Sequence, residues 1–131
     1  MIFVDTNIAI ALRDLDRVTH EAVQTLDEVP VFSMITRIEL ENGVNAEPGL
    51  ENSRRRLLEE LLKTYAVEMF THADILAYGG IIYNLGYSRQ LTLDRLIAAQ
   101  AIARDAALIT RNGKDFRKID GLKLIEWETP V

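Results

Sequence analysis

Residues 1–7 read Met1-Ile2-Phe3-Val4-Asp5-Thr6-Asn7, and this stretch decides the predicted fold. Its apolar run is typical of a buried strand, and the polar pair after the aspartate is suited to opening a helix. In open α/β sheets, ligands bind beyond the carboxyl ends of the strands. Asp5 is therefore predicted to lie where such a protein keeps its functional site.

Strand-like and helix-like patterns alternate along the rest of the chain. The predicted strands lie at residues 2–5, 31–33, 67–70, 107–110 and 122–127. The predicted helices lie at residues 6–12, 17–28, 35–44, 54–63, 71–85 and 93–106. No repeat or linker interrupts this order, which predicts one α/β domain over residues 1–131 with a mainly parallel sheet.

Composition narrows the classes of function. The 131 residues include 48% hydrophobic and 7% aromatic residues, which suits a mainly aliphatic core. There is no cysteine, which excludes disulfides, thiolate metal sites and a cysteine nucleophile. The net charge of −5 argues against a purely electrostatic nucleic-acid binder. No basic leader precedes the first strand and no apolar run is long enough for a membrane span, so a cytoplasmic protein is expected.

Three further acids, Glu39, Asp94 and Asp115, stand at the edges of predicted elements as Asp5 does. Each has an ordinary structural role open to it. Asp5 can cap the helix that follows, and Glu39 can complete a capping box with Thr36. Asp94 would be favoured by the helix dipole in a first turn, and Asp115 can be a turn residue.

The four acids can also be interpreted together, as one cluster at the edge of the sheet. Strand ends and helix starts share one edge of a parallel sheet, so all four can face the same crevice. Clustered carboxylates repel one another, and a cation relieves that repulsion. Oxygen donors favour a hard divalent ion, Mg²⁺ or Mn²⁺.

Four segments also carry a family resemblance. They are Val4-Asp5-Thr6-Asn7, Ile35-Thr36-Arg37-Ile38-Glu39-Leu40, Leu93-Asp94-Arg95-Leu96-Ile97-Ala98-Ala99 and Leu108-Ile109-Thr110-Arg111-Asn112-x-x-Asp115-Phe116. In order and spacing, this set resembles the four motifs of PIN-domain ribonucleases, and in particular the VapC toxins of bacterial type II toxin–antitoxin systems.

The resemblance implies a three-layer α/β/α fold, an Mg²⁺- or Mn²⁺-dependent endoribonuclease, a homodimer and a VapB-like antitoxin partner. It implies that Asp5, Glu39, Asp94 and Asp115 are the catalytic, metal-binding acids. It also implies polar support from Thr6, Asn7, Thr110 and Asn112.

Substrate and partner contacts are predicted from the residues themselves. The candidate phosphate contacts flank Asp115 and are Arg111, Lys114, Arg117 and Lys118. The run 54–56 of arginines is interpreted as the exposed leading turn of a helix. Tyr78, Tyr83 and Tyr87 are interpreted as core or interface residues, with base stacking as the alternative. The leucine face Leu57-Leu58-Leu61-Leu62 could pack in the core or receive an antitoxin helix.

Two rival functions remain open at this stage. The first is an Mg²⁺-dependent phosphoryl-transfer domain of another class, such as a haloacid-dehalogenase-like phosphatase or a receiver domain. The phosphatase would need a second aspartate two residues after the first, where this chain has Asn7. A PIN-like RNA-binding module without activity would not need the complete set of acids. Neither His20 nor His72 lies in a pattern that predicts histidine acid–base catalysis.

Overall fold

Five short strands and six α-helices alternate along residues 1–129, the part of the chain that this computed structural model describes. The last two residues of the predicted domain lie outside that part. The strands are β1 (Ile2–Val4), β2 (Phe32–Ser33), β3 (Val67–Glu68), β4 (Ala107–Thr110) and β5 (Lys123–Glu126). The helices are α1 (Thr6–Arg13), α2 (Arg17–Gln24), α3 (Met34–Val44), α4 (Glu51–Thr64), α5 (His72–Leu85) and α6 (Thr92–Ala103). A 3₁₀ helix, Gly113–Asp115, follows β4.

All of the strand pairs are parallel. Strand β4 lies between β1 and β5, and β2 pairs with β3. A parallel bridge between Phe3 and Val31 joins the two sets just before β2, and the Val31 amide donates to the Ile2 carbonyl at 2.8 Å. The spatial order is therefore β3-β2-β1-β4-β5, which confirms the predicted parallel sheet and places all of its carboxyl ends along one edge.

Two hydrophobic cores cover the two faces of the sheet. Val4 and Ile109 belong to one core, which also contains buried residues of helices α1 to α4. Their chain neighbours Phe3 and Leu108 belong to the other core, with residues of α5 and α6. Successive strand residues point to opposite faces, so this partition shows helices on both sides of the sheet. The three-layer α/β/α architecture is confirmed.

Local signals fix several helix ends. The predicted capping box of Thr71 and Asp74 is present at the start of α5. Helix α2 ends at Gln24, four residues before its predicted end. The strand β2 passes directly into α3, whose N-cap is Ser33. None of the helices in residues 1–129 has the length and apolar character needed to cross a membrane.

Candidate active site

Asp5 follows β1 and caps α1. Its side chain accepts a hydrogen bond from the Ile8 amide at 3.3 Å, so the capping role is real. The Thr110 hydroxyl donates to the other carboxylate oxygen. Asp5 is only 4% exposed, and burial raises the pKa of its carboxyl above the usual value, against the opposing effect of these hydrogen bonds. A cap alone does not require a buried carboxylate, so the position has a cost that a functional role would explain.

Asp94 shows that the four acids are brought together. It lies in the first turn of α6, as predicted, and is partly buried. Burial and, after it, the charges of Asp115, Asp5 and Glu39 together raise the pKa of this carboxyl from its usual value to about 6. The edge of the sheet therefore places the other three carboxylates within electrostatic reach of Asp94.

Glu39 is held differently from the capping-box interpretation. Because the Ser33 hydroxyl accepts from the Ile35 amide at 3.0 Å, α3 begins earlier than predicted. Glu39 thus lies in the second turn, and the predicted first-turn position and the capping box with Thr36 are wrong. The Thr6 hydroxyl instead donates to Glu39 Oε1 at 2.6 Å, while the Thr6 and Thr36 hydroxyl oxygens are 3.0 Å apart. Since Thr6 uses its only proton on Glu39, Thr36 donates to Thr6.

Asp115 is positioned by the loop after β4. It ends the 3₁₀ helix and accepts a hydrogen bond from the Asn112 side-chain amide. The Asn112 main-chain amide donates in turn to the Thr110 hydroxyl at 2.9 Å. Thr110 therefore connects Asp5 to the loop that carries Asp115. Asn7 is exposed, and it contributes to the site through its main-chain amide, which lowers the pKa of Asp5.

The four predicted cations of the Asp115 loop divide into two pairs. Arg117 is held by Glu126 at 2.6 Å, and Arg111 donates to Thr19 at 3.0 Å with its guanidinium 5.9 Å from the Trp127 ring. Lys114 and Lys118 are both exposed, and neither forms an ion pair within residues 1–129. The two lysines are therefore the cations that remain available to an incoming anion.

The chemistry of the donor set fits a divalent cation, although the carboxylates are not fully converged. Within residues 1–129 no three acidic or imidazole side chains stand close enough to enclose one ion. Hydrogen bonds from Thr110, Thr6 and Asn112 hold three of the four acids in separate orientations. Burial and the nearby charges of three acids both raise the pKa of Asp94, and every potential ligand is the hard oxygen donor that Mg²⁺ and Mn²⁺ prefer.

A wide cleft lies away from the acids. It has a volume of about 590 Å³ and is lined by residues of α1, α2 and α4 and of the segment after α2. Leu57 and Leu61 of the predicted leucine face line it, whereas Leu58 is fully buried in the core. The rim carries Asp27 and Glu60. The cleft is therefore separate from the edge of the sheet at which the four acids lie.

The remaining predicted residues have ordinary positions. Tyr78 packs against the core, but Tyr83 is 89% exposed and Tyr87 is also exposed, so a core role for these two is wrong. His20 lies on α2 with its ring nitrogen 3.0 Å from the Leu12 carbonyl, and His72 is exposed at the start of α5. The arginines of residues 54–56 lie in the second turn of α4 rather than its leading turn.

Comparison with known proteins identifies the family. Residues 2–122 match the PIN domain. The chain is 32% identical over 130 residues to Ribonuclease VapC1 of Rickettsia felis, covering 95% of this chain and 94% of the relative. The chain belongs to the PIN-domain family of VapC ribonucleases. Members of this family generally depend on divalent metal ions.

Two solved structures support the membership. VapBC2 from Rickettsia felis, bound to a DNA fragment of its promoter, matches with a TM-score of 0.84 and 26% identity over 98% of this chain and 100% of that chain. VapBC-1 from nontypeable Haemophilus influenzae matches with a TM-score of 0.78 and 29% identity over 97% of this chain and 98% of that chain.

Sequence reasoning missed two residues at this edge of the sheet. Arg95 follows Asp94 and is 7% exposed, with its Nη1 donating to the Gly86 carbonyl at 2.7 Å. Glu126 ends β5 opposite Thr110 and neutralises Arg117. The sequence did offer a signal for Arg95, since it is a charged residue inside an apolar helical motif. It offered none for Glu126, whose pairing with Arg117 depends on the register between β4 and β5.

Proposed function

We propose that this chain is a metal-dependent endoribonuclease that acts as the toxin of a toxin–antitoxin pair. The observation that carries the proposal is the placement of three other carboxylates around partly buried Asp94, whose pKa burial and these charges together raise to about 6. Buried strand ends that concentrate negative charge at one edge of the sheet suit a cation and a phosphodiester better than any purely structural role. The relatives named above are ribonucleases, which supplies the substrate class.

Asp5, Glu39, Asp94 and Asp115 are proposed to hold Mg²⁺ or Mn²⁺. When bound, such an ion lowers the pKa of a coordinated water and stabilises the charge that develops on the scissile phosphate and the leaving oxygen. The chain supplies orientation: Thr110 fixes one oxygen of Asp5, and Thr6 fixes one oxygen of Glu39. Asn112 fixes Asp115 in the same way. Hydrogen bonds of this kind keep the carboxylates in position and stabilise their charged form.

The alternative of an inactive RNA-binding module is tested by cleavage itself. Purified protein is incubated with total RNA in millimolar Mg²⁺, in Mn²⁺ and in EDTA. We expect new RNA 5′ ends in either metal and intact RNA in EDTA. RNA that is bound but remains intact in both metals would refute the proposal and favour the inactive module.

The partner is proposed to be a VapB-like antitoxin, as in the solved VapBC complexes. The cleft between α1, α2 and α4 is a suitable dock because it combines apolar walls with the carboxylates of Asp27, Glu28 and Glu60. An amphipathic helix that carries basic residues would complement both features. Expression of this chain alone should arrest growth of a bacterial host, and co-expression of the neighbouring small open reading frame should restore it. Harmless expression of a soluble, RNA-cleaving protein would contradict the toxin assignment.

The site of action and the oligomer are also proposals. We expect the protein in the cytoplasm, where its RNA substrates lie. A homodimer is expected to use the exposed apolar side chains of α5, which include Ile75, Leu76 and Tyr83. Light scattering of the wild type and of Leu76→Glu tests this, because the charge would convert a dimer to a monomer.

A further inference from the structure

A second, smaller pocket opens beside the acid cluster. Its volume is about 260 Å³, and Asp115 forms part of its wall. The cationic side chains of Arg95, Lys114 and Lys118 line it, together with the apolar side chains of Leu91 and Ile119. The pocket therefore borders Asp115, one of the four proposed metal-binding acids, and Arg95 in its wall follows Asp94 in the chain.

The charge of this pocket is opposite to that of the chain. Three cations line it against one carboxylate, although the chain as a whole carries a net charge of −5. Local positive charge that borders a cluster of acids is what a polyanionic substrate requires in an acidic nuclease. The pocket is therefore suited to an anionic group.

The cations of the pocket are available for binding. Lys114 and Lys118 are exposed and have no ion-pair partner within residues 1–129. Nη1 of Arg95 donates a hydrogen bond to the Gly86 carbonyl, but the buried Nε of Arg95 has no acceptor among the described residues. A buried donor without an acceptor is destabilising, and an anion that draws on the same guanidinium would offset part of this cost.

The size and lining of the pocket limit its occupant. Pockets for whole small molecules usually span roughly 300–1,000 Å³. A volume of about 260 Å³ suits a single phosphate with part of its ribose. The apolar wall formed by Leu91 and Ile119 can contact the sugar, while the cations contact the phosphate.

We propose that the pocket of Arg95, Lys114 and Lys118 binds the phosphodiester next to the scissile one. This inference rests on the proposed ribonuclease function and extends it. The acids act on one phosphate, and the basic pocket holds its neighbour, so efficient substrates must contain at least two phosphodiesters. RNA length, rather than phosphodiester chemistry alone, then governs the affinity for substrate.

The test compares a double variant, Lys114→Gln with Lys118→Gln, with the wild type on two substrates. One is a 12-nucleotide RNA, and the other is bis(4-nitrophenyl) phosphate, which contains a single phosphodiester. Lys123→Gln is the control because it removes one positive charge from an exposed lysine of β5 that lies outside the pocket and pairs with Asp105. Both substituted pocket lysines are exposed, so the change does not disturb the core.

We expect the double variant to raise the KM for the RNA at least tenfold, with a much smaller effect on the single phosphodiester. In EDTA, the slope of log affinity for the RNA against log salt should become shallower by about 0.7, because the pocket holds one phosphate and each neutralised phosphate on a single strand contributes about 0.7. The Lys123→Gln protein should match the wild type in both measurements.

Three outcomes would overturn the inference. Equal losses on RNA and on the single phosphodiester would show that the lysines support the acids rather than a neighbouring phosphate. If the double variant is inhibited less by inorganic phosphate than the wild type is, but its KM for RNA is unchanged, the pocket is a site for free phosphate. A wild-type protein that cleaves neither substrate in Mg²⁺ or Mn²⁺ would remove the proposed function on which the inference rests.

Discussion

Replacing Asp94 with asparagine should stabilise the metal-free protein at neutral pH. Burial, followed by Asp115, Asp5 and Glu39, raises the pKa of Asp94 from 3.8 to about 6. The folded protein therefore binds this proton more tightly than the unfolded chain does. As a result, the free energy of unfolding falls as the pH rises from about 4 to about 6 and stays low above that range.

The magnitude follows from the size of this change in pKa. One pKa unit corresponds to about 1.4 kcal/mol, so ionisation of Asp94 costs the fold about 3 kcal/mol before solvent screening. Because Asp94 is only partly buried, we expect on the order of 2 kcal/mol after screening. Asp94→Asn keeps the size of the side chain and removes its charge. It should gain this free energy at pH 7.5 and almost none at pH 4.

Urea unfolding in EDTA at the two pH values measures the effect. Asp120→Asn is the control because Asp120 is exposed and outside the acid cluster. Adding Mn²⁺ should stabilise the wild type by about 2.7 kcal/mol at 100 times Kd and the Asp94 variant by less. An Asp94→Asn protein that is no more stable than the wild type at pH 7.5, or that gains equally at both pH values, would refute the electrostatic argument.

Three further changes test the packing and support of the site. Gly113→Ala would place a Cβ in steric conflict with the Glu126 carboxylate, so a loss of about 1 kcal/mol is expected in thermal melts, and a Glu126→Ala background should relieve it. Gln100→Leu removes the buried amide that donates to two main-chain carbonyls before α5, and urea unfolding should show a loss of about 2 kcal/mol. Thr110→Val removes the hydroxyl that lowers the pKa of Asp5, so the RNA cleavage rate should fall roughly 10–100-fold and its pH profile should move to higher pH. An unchanged melt, an unchanged unfolding curve or an unchanged pH profile would contradict the respective reasoning.

The sequence predicted those parts of the fold that depend on local patterns. The strand at residues 107–110 appears with its predicted bounds because its apolar run is short and flanked by polar residues. The capping box of Thr71 and Asp74 is likewise a contiguous signal. Asp94 lies in a first turn as expected, because the helix that follows it has a strong apolar pattern.

Features that depend on distant partners were not predictable in the same way. The start of α3 was misplaced because β2 enters the helix without a loop, and Ser33 rather than Thr36 provides the cap. Of the four cations in the Asp115 loop, Arg117 is neutralised by Glu126, which reaches it only because β5 pairs with β4. The exposure of Tyr83 depends on which face of α5 packs against α6.

The sequence predicted which acids form the candidate site, but not the hydrogen bonds that hold them. The order of the acids along an α/β chain indicated one edge of the sheet, and the raised pKa of Asp94 agrees with that placement. The hydroxyl of Thr6 on Glu39 joins residues 33 positions apart, and no periodicity predicts such a contact. Catalytic and metal-binding roles for the four acids remain proposals that mutation can test.

The most direct test of the account is the RNA cleavage rate of Asp5→Asn, with folding followed by circular dichroism. Asparagine caps helices as well as aspartate does, so this change removes the charge and preserves the cap of α1. Asp16→Asn is the matched control, since Asp16 caps α2 through the Thr19 amide and lies outside the acid cluster. We predict that Asp5→Asn folds normally and cleaves RNA more than ~100-fold more slowly in Mg²⁺, whereas Asp16→Asn retains the wild-type rate. Wild-type cleavage by a folded Asp5→Asn protein would contradict the account.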